Sequence, residues 1–304
     1  MCALRVLSAV CALCVFGWAG QGNAQDMEAR AYSATPVGTN FALAGWAHSK
    51  GDVLTDPSLP LTNVAARIDT YFAGYSRSFD LFGNAASLGL VLPVARANVS
   101  GDVGEESRAV HRAGFADVRM RLSTNLIGNP AVTPAQFAQR TPTTVAGISL
   151  SVVAPTGQYD SSKLINIGTN RWAFKPELGL SQPIGNWFVD LAAGVWLFTE
   201  NNDFFGGNTR KQDPIYSYQT HIGYNFRPGL WLAADATYYT GGETTLNGVA
   251  KHDLQENSRW GMTLSVPFAQ GWSTKLAWSH GLSTRAGSDF TTYSLFVQYR
   301  WFDR

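Results

Sequence analysis

The feature that most constrains this chain is a strict two-residue alternation that recurs along its length. From Gly114 to Leu126, Ala116, Val118, Met120, Leu122, Thr124 and Leu126 fall on one face; Phe115, Asp117, Arg119, Arg121, Ser123 and Asn125 fall on the other. Successive strand side chains point to opposite faces, so this is a two-faced strand; on a helix the same charges would scatter around the axis. Trp172, Phe174, Leu178 and Leu180 oppose Arg171, Lys175, Glu177 and Ser181 in the same way. So do Leu230, Leu232, Ala234 and Ala236 against Asp235 and Thr237, and Tyr293, Leu295, Val297, Tyr299 and Trp301 against Ser294, Gln298 and Arg300.

This pattern predicts twelve strands, at about 40–48, 64–79, 85–97, 114–127, 143–155, 169–182, 186–200, 214–226, 229–240, 257–267, 272–281 and 291–302. Most supply the ~9–11 residues that a tilted strand needs to cross a bilayer. Linkers after the second, sixth, eighth and tenth strands are short, whereas the odd-numbered strands are followed by longer polar ones, the mark of an outer-membrane barrel. Gly128–Pro142 is the exception: it should be a periplasmic turn yet is long, through elaboration or a slip in register. Trp187, Trp231, Trp260, Trp272, Tyr238, Tyr239, Tyr299 and Trp301 gather towards strand ends, where rings meet membrane interfaces. The expected fold is an all-β transmembrane antiparallel barrel of twelve strands; closure removes the sheet edges that an open array would expose. A large periplasmic β-sandwich is the soluble alternative.

Residues 1–24 read as a signal peptide, with Arg5 ahead of the apolar run Val6–Gly20 and small residues at Gly22 and Ala24 before the cleavage point. The expected organisation is signal peptide 1–24, a short periplasmic segment 25–39 and a barrel 40–304. All three cysteines (Cys2, Cys11 and Cys14) fall in the leader, which leaves the mature chain without disulfides or thiolate metal sites. Only 15% of residues are charged and 12% are aromatic, with 23 Lys and Arg against 22 Asp and Glu. That balance lacks the basic excess of a general nucleic-acid binder. His48, His111, His221, His252 and His280 form no catalytic or metal-ligand spacing, and no phosphate-cradling loop is present. Neither a cofactor nor a metal nor an enzymatic activity is expected, although spacing leaves open a triad assembled in space.

Several segments resemble one family: Pro155-Thr156-Gly157-Gln158-Tyr159, Leu164-Ile165-Asn166-Ile167-Gly168-Thr169-Asn170-Arg171-Trp172 and Lys175-Pro176-Glu177, with later echoes at Gln212-Asp213-Pro214-Ile215-Tyr216, Phe226-Arg227-Pro228-Gly229, Asn257-Ser258-Arg259-Trp260-Gly261 and Tyr299-Arg300-Trp301. Together they resemble the outer-membrane transporter family named for the phenol meta-degradation pathway, over about residues 38–304. The resemblance implies a twelve-stranded channel found beside the breakdown of aromatic or hydrophobic compounds. It also implies kinship with the pore that secretes functional amyloid subunits. That pore carries an additional N-terminal periplasmic region, whereas here only about fifteen residues separate the expected cleavage site from the first strand.

Because charge on the lipid face costs ~2–4 kcal/mol at mid-bilayer, the strand charges are assigned inward: Arg67, Asp69, Arg77, Asp117, Arg119, Arg121, Arg171, Lys175, Glu177, Asp190, Asp235, Arg259, Lys275 and Arg300. They form either a charged pore favouring anionic or polarised aromatic solutes or a lumen packed with ion pairs. Phe115, Phe188, Trp196 and Phe198 share the inward parity, as an aromatic solute site or as packing for an inward loop. Lys163, Asn166, Asn170, Asp213 and Asp289 are expected at the outer mouth, as a solute vestibule or as loop-to-loop hydrogen bonding. The expected partners are the lipid bilayer, a small-molecule solute and the barrel-assembly machinery, with self-association left open and no nucleic acid. The expected function is passage of small aromatic or hydrophobic solutes; a polypeptide secretion pore and a blocked structural or adhesive barrel are the alternatives.

Overall fold

The computed structural model describes residues 27–54 and 61–303. The expected signal peptide at 1–24 lies outside the described residues. The strands, in chain order, are β1 (Thr39–Leu54), β2 (Leu61–Leu81), β3 (Asn84–Val103), β4 (Glu106–Phe115), β5 (Val118–Ile127), β6 (Val145–Ala154), β7 (Ala173–Ile184), β8 (Trp187–Phe198), β9 (Asn201–Phe204), β10 (Asn208–Gln212), β11 (Ile215–Arg227), β12 (Leu230–Gly241), β13 (Thr244–Leu246), β14 (Val249–Ala250), β15 (Gln255–Ala269), β16 (Trp272–Ser283) and β17 (Gly287–Phe302). β4 and β5 both pair with β3 and make one stave, so the barrel has twelve staves, all antiparallel. Pairing of β1 with β17 and of β2 with β3 closes it. The remaining strands β9, β10, β13 and β14 form a small sheet at the extracellular end.

The alternation that identified the strands sets their two faces. Leu88, Leu90, Leu92, Leu122, Leu150, Leu178, Leu191, Leu276 and Leu295 point outward and are exposed, as a lipid-facing surface requires. Most inward positions are small, polar or charged, and large apolar side chains such as Phe72, Phe188 and Trp196 stand among them. At the periplasmic seam, Asp303 accepts from Arg77 at 2.7 Å and from the Asn40 side-chain amide at 2.8 Å, tying the end of β17 to β1 and β2.

The structure corrects four sequence expectations. First, 98–113 is no loop. β3 and β4 continue as a hairpin whose outward face turns polar at Asn98 and Ser100 while Val99 stays buried inward, the reverse of the apolar-outward pattern below it. The linker after the eleventh stave is likewise a tight one, between Ser283 and Gly287. Second, Phe115 faces outward and is 66% exposed. The two residues Ala116 and Asp117 interrupt the stave, so the chain changes face and Asp117 turns inward, 6% exposed. Third, Arg67, Asp69 and Arg77 face outward, because the inward face of β2 carries Val64, Ala66, Ile68 and Phe72. β2 is 21 residues long and its charges stand towards its ends, where the lipid-face penalty fades. Fourth, the segment expected as a periplasmic tail folds into the lumen at Glu28–Ser33.

The long 128–142 linker is an elaborated turn. It carries α1 (Pro134–Phe137), started by a Thr133–Gln136 capping box, and Asn129 donates to the Thr35 carbonyl at 3.2 Å. The linker therefore closes against the N-terminal segment at the periplasmic mouth.

Candidate functional site

Two elements narrow the lumen from opposite ends. From the periplasmic side, the N-terminal segment lies against the wall built by β5 to β12. The Arg30 backbone N–H donates to Asp190 at 2.8 Å, and its guanidinium stacks 4.6 Å above the Phe188 ring centroid. Tyr32 meets Ser149 at 2.9 Å and donates to Glu177 at 3.0 Å. Burial pushes the Tyr32 phenol up to about 12, so it remains a neutral donor. Gly179 makes room for this ring: a Cβ there would come within 2.0 Å of it. Glu28 pairs with Arg121, and that guanidinium holds its carboxyl below the usual range. Arg121 also reaches Glu177 at 3.1 Å, and Lys175 meets Glu177 at 2.5 Å.

From the extracellular side, the loop between β6 and β7 folds across the barrel onto β1–β4. Leu164 and Ile165 pack against Val53, Val64, Ala66, Val99 and Phe290; Ile167 packs against Ala95 and Ala97. Asp117 clamps the loop. It accepts from the Gly157 N–H at 2.8 Å, the Thr169 N–H at 2.9 Å and the Thr169 hydroxyl at 2.6 Å. Gly157 and Gly168 touch backbone to backbone, and a Cβ on either would lie 2.7 Å from the other.

Asp117, Arg119, Arg121, Lys175, Glu177, Asp190, Asp235, Arg259 and Lys275 face inward; Arg171 is buried at the base of the loop, and Arg300 is exposed at the periplasmic end over the Phe302 ring. Arg67 and Asp69 do not join them. Asp190 and Asp235 serve local bonds: Asp190 also accepts from the Ser181 hydroxyl at 2.6 Å, and Asp235 accepts from His221 at 2.6 Å and from Thr263 at 2.7 Å. The buried His221–Asp235 pair is absent from the sequence expectations. Strand register is the signal for it, since His221 stands directly opposite both Asp190 and Asp235.

The outer-mouth residues divide. Asn166 staples the loop through Asp160 and Lys163 backbone atoms, and Lys163 pairs with Asp160 at 2.6 Å. Asn170 donates to Asn201 at 2.9 Å, whereas exposed Asp213 and half-buried Asp289, which lies opposite Asp52 and whose Oδ1 is buried without a hydrogen-bond partner, stand apart from them.

A group of buried donors runs from the base of the β6–β7 loop onto the wall of β8, β12 and β15. Arg171 donates to Gln212 and stacks 4.3 Å over Phe198, which stacks on Trp196. Burial pushes the Arg171 guanidinium down, and Arg210 adds to this. Arg259 donates to the Phe290 carbonyl at 2.7 Å and to Ser279 at 3.1 Å, both neutral acceptors. Among the described residues, Arg171 Nη1, Trp196 Nε1, Thr237 Oγ1, and Arg259 Nε and Nη1 are buried without hydrogen-bond partners. On the opposite wall, β17, β1 and β2 turn the half-buried apolar residues Phe296, Phe41, Leu43 and Phe72 inward.

The family model described as "Putative MetA-pathway of phenol degradation" matches residues 48–299. No curated protein matches the sequence. An outer-membrane channel from Pseudomonas putida F1 superposes with a TM-score of 0.79 at 21% identity, over 91% of this chain and 100% of that one. The transport unit of the autotransporter AIDA-I from Escherichia coli gives 0.52 at 7% identity over 93% and 95%, and the β domain of the Bordetella autotransporter BrkA gives 0.50 at 13% over 88% and 100%. These likenesses establish the fold.

Proposed function

The chain belongs to the MetA-pathway phenol-degradation family, and we propose that it is a non-enzymatic outer-membrane channel for small aromatic or hydrophobic solutes, with a preference for those bearing an anionic group. The observation that carries this reading is the cluster of buried, unpartnered donors around Arg171, Trp196, Thr237 and Arg259. A buried donor left unmade costs ~1–3 kcal/mol, and more when charged. The two buried guanidiniums are hydrogen-bonded only to neutral acceptors, and the nearby carboxylates of Asp117 and Asp289 act on them through space without a direct bond. A carboxylate or phenolate supplies acceptor and charge together, while the rings of Trp196 and Phe198 accommodate its aromatic body.

The route follows from what covers each wall. The β6–β7 loop packs on β1–β4, and the N-terminal segment packs on β5–β12. A solute therefore meets the donor cluster first and then crosses to the apolar wall of Phe41, Leu43, Phe72 and Phe296. The chain is exported by cleavage of the 1–24 leader and is inserted by the barrel-assembly machinery, to which β17 presents the aromatic end Trp301-Phe302. The test is single-channel conductance of the refolded protein in a planar bilayer, with phenol, benzoate or a fatty acid added. Discrete openings interrupted most strongly by benzoate support the reading. A folded barrel without current favours the blocked-lumen alternative.

A further inference from the structure

The outward-facing charges on the first staves mark a second site. On β2 the outward positions run Arg67, Asp69, Tyr71, Ala73, Tyr75 and Arg77. Arg67 and Arg77 are ten residues apart. At a strand tilt of about 40° that spans about 25 Å, the height of the apolar band of an outer-membrane barrel. The two arginines thus bracket the bilayer. Arg77 at the inner edge is paired with Asp303.

Arg67 at the outer edge has no such partner. It stands directly opposite Lys50 of β1, with both side chains exposed. Like charges facing each other across a strand pair are destabilising unless an anion lies between them. Exposed Arg96 of β3 adds a third cation, opposite Asp69. The Asp69 carboxylate is already engaged, accepting from Trp46 Nε1 at 3.2 Å and meeting His48 Nδ1 at 2.8 Å. Lys50 and Arg67 face each other at one level, where β3 offers Asn98, and Arg96 stands two residues lower opposite Asp69, so the three form a staggered cationic row; none makes a direct ion pair among the described residues, and Asp69 acts on Arg67 only through space. The row sits just above Trp46 and Tyr71 and beside the exposed lipid-facing leucines Leu90 and Leu92. Elsewhere around the barrel, outward residues towards the outer ends of the staves include the neutral aromatics Tyr216, Tyr238, Trp260 and Tyr293, and the exposed Glu256 is paired with Arg285.

We propose that Lys50, Arg67 and Arg96 bind the phosphate groups of an outer-leaflet glycolipid, whose acyl chains lie along the leucine face of β3. A phosphate between Lys50 and Arg67 neutralises their repulsion through charge-assisted bonds, and guanidinium geometry suits its oxygens. The level and the adjoining acyl surface select a lipid-borne phosphate over a free one.

The test uses the refolded full-length barrel in detergent, titrated with rough-type lipopolysaccharide and read by native mass spectrometry. Retained glycolipid on the wild type, weakened at least tenfold by Lys50→Gln, Arg67→Gln and Arg96→Gln together, supports the site. Arg227→Gln, an exposed cation at the periplasmic turn, should leave retention unchanged. Folding of each variant is read separately as the heat-dependent gel shift. Should the triple variant fail to fold, the single Arg67→Gln variant and phosphatase-treated glycolipid carry the test, each with weakened retention expected. Equal retention of dephosphorylated glycolipid overturns the proposal. So does unchanged binding by the folded variants, or full competition by inorganic phosphate at millimolar concentration, which marks a free-phosphate site.

Discussion

Asp117 holds the outer constriction: one carboxylate, placed where the fourth stave breaks, receives three hydrogen bonds from two ends of the β6–β7 loop. Hydrogen bonds to a charged group are each worth ~1.5–3 kcal/mol. Asp117→Ala should therefore cost about 3 kcal/mol of loop anchoring. The barrel should still fold, with a higher and noisier single-channel current than wild type; an unchanged current would show that the loop is held elsewhere. At the other end, Glu28 binds Arg121 with its acidity strengthened by that guanidinium. A carboxylate whose folded value is depressed stabilises above its ordinary value and loses that contribution as pH falls through the depressed one. Acidifying from neutral to below pH 4.5, the ordinary value for this carboxyl, should thus loosen the N-terminal segment and raise conductance. Glu28→Gln should show the raised conductance already at neutral pH and little further change on acidification. Asp160 behaves with the same sign: its carboxyl is held down to about 2 by Lys163 and Ser162, so the loop turn it supports should persist well below neutrality.

Among the elements, the β6–β7 loop depends on the contact between Gly157 and Gly168. Gly168→Val places a side chain 2.7 Å from backbone that has no room to move. The loop should then swing out of the lumen, measurable as protease cleavage near Lys163 in the folded barrel; resistance equal to wild type would contradict the packing of this loop. The staves are legible in the sequence because a bilayer outside and polar contacts inside impose period two on every crossing. Legibility stops where that contrast stops. At the top of β3 the outward face is polar at Asn98 and Ser100 and the apolar Val99 is turned inward, so Asn98–Asp102 reads as a loop. The break at Ala116-Asp117 is invisible in an alternation that runs through it, which puts Phe115 on the wrong face. Arg67 and Asp69 are turned inward by a lipid-face rule that applies at mid-bilayer and weakens at strand ends. Within the site, inward charges from Arg119 to Lys275 follow from parity. The N-terminal insertion, the His221–Asp235 pair and the unpartnered donors do not, because they depend on which staves meet across the lumen.

As a whole molecule, the chain is a closed barrel narrowed from opposite ends on opposite walls. On the proposed reading, that arrangement favours solutes that exchange water for apolar wall and buried donors. In the proposed channel, the donors around Arg171 and Arg259 select for an anionic group. The most direct measurement is uptake into proteoliposomes of benzoate against benzyl alcohol, a neutral ring of similar size, for the wild type and for Arg171→Gln with Arg259→Gln. The account predicts benzoate favoured by the wild type, and a fall of about tenfold in benzoate uptake in the variant, equivalent to ~1.4 kcal/mol, with benzyl alcohol little changed. Equal uptake of the two solutes by the wild type, or a variant that keeps the wild-type preference, would contradict it.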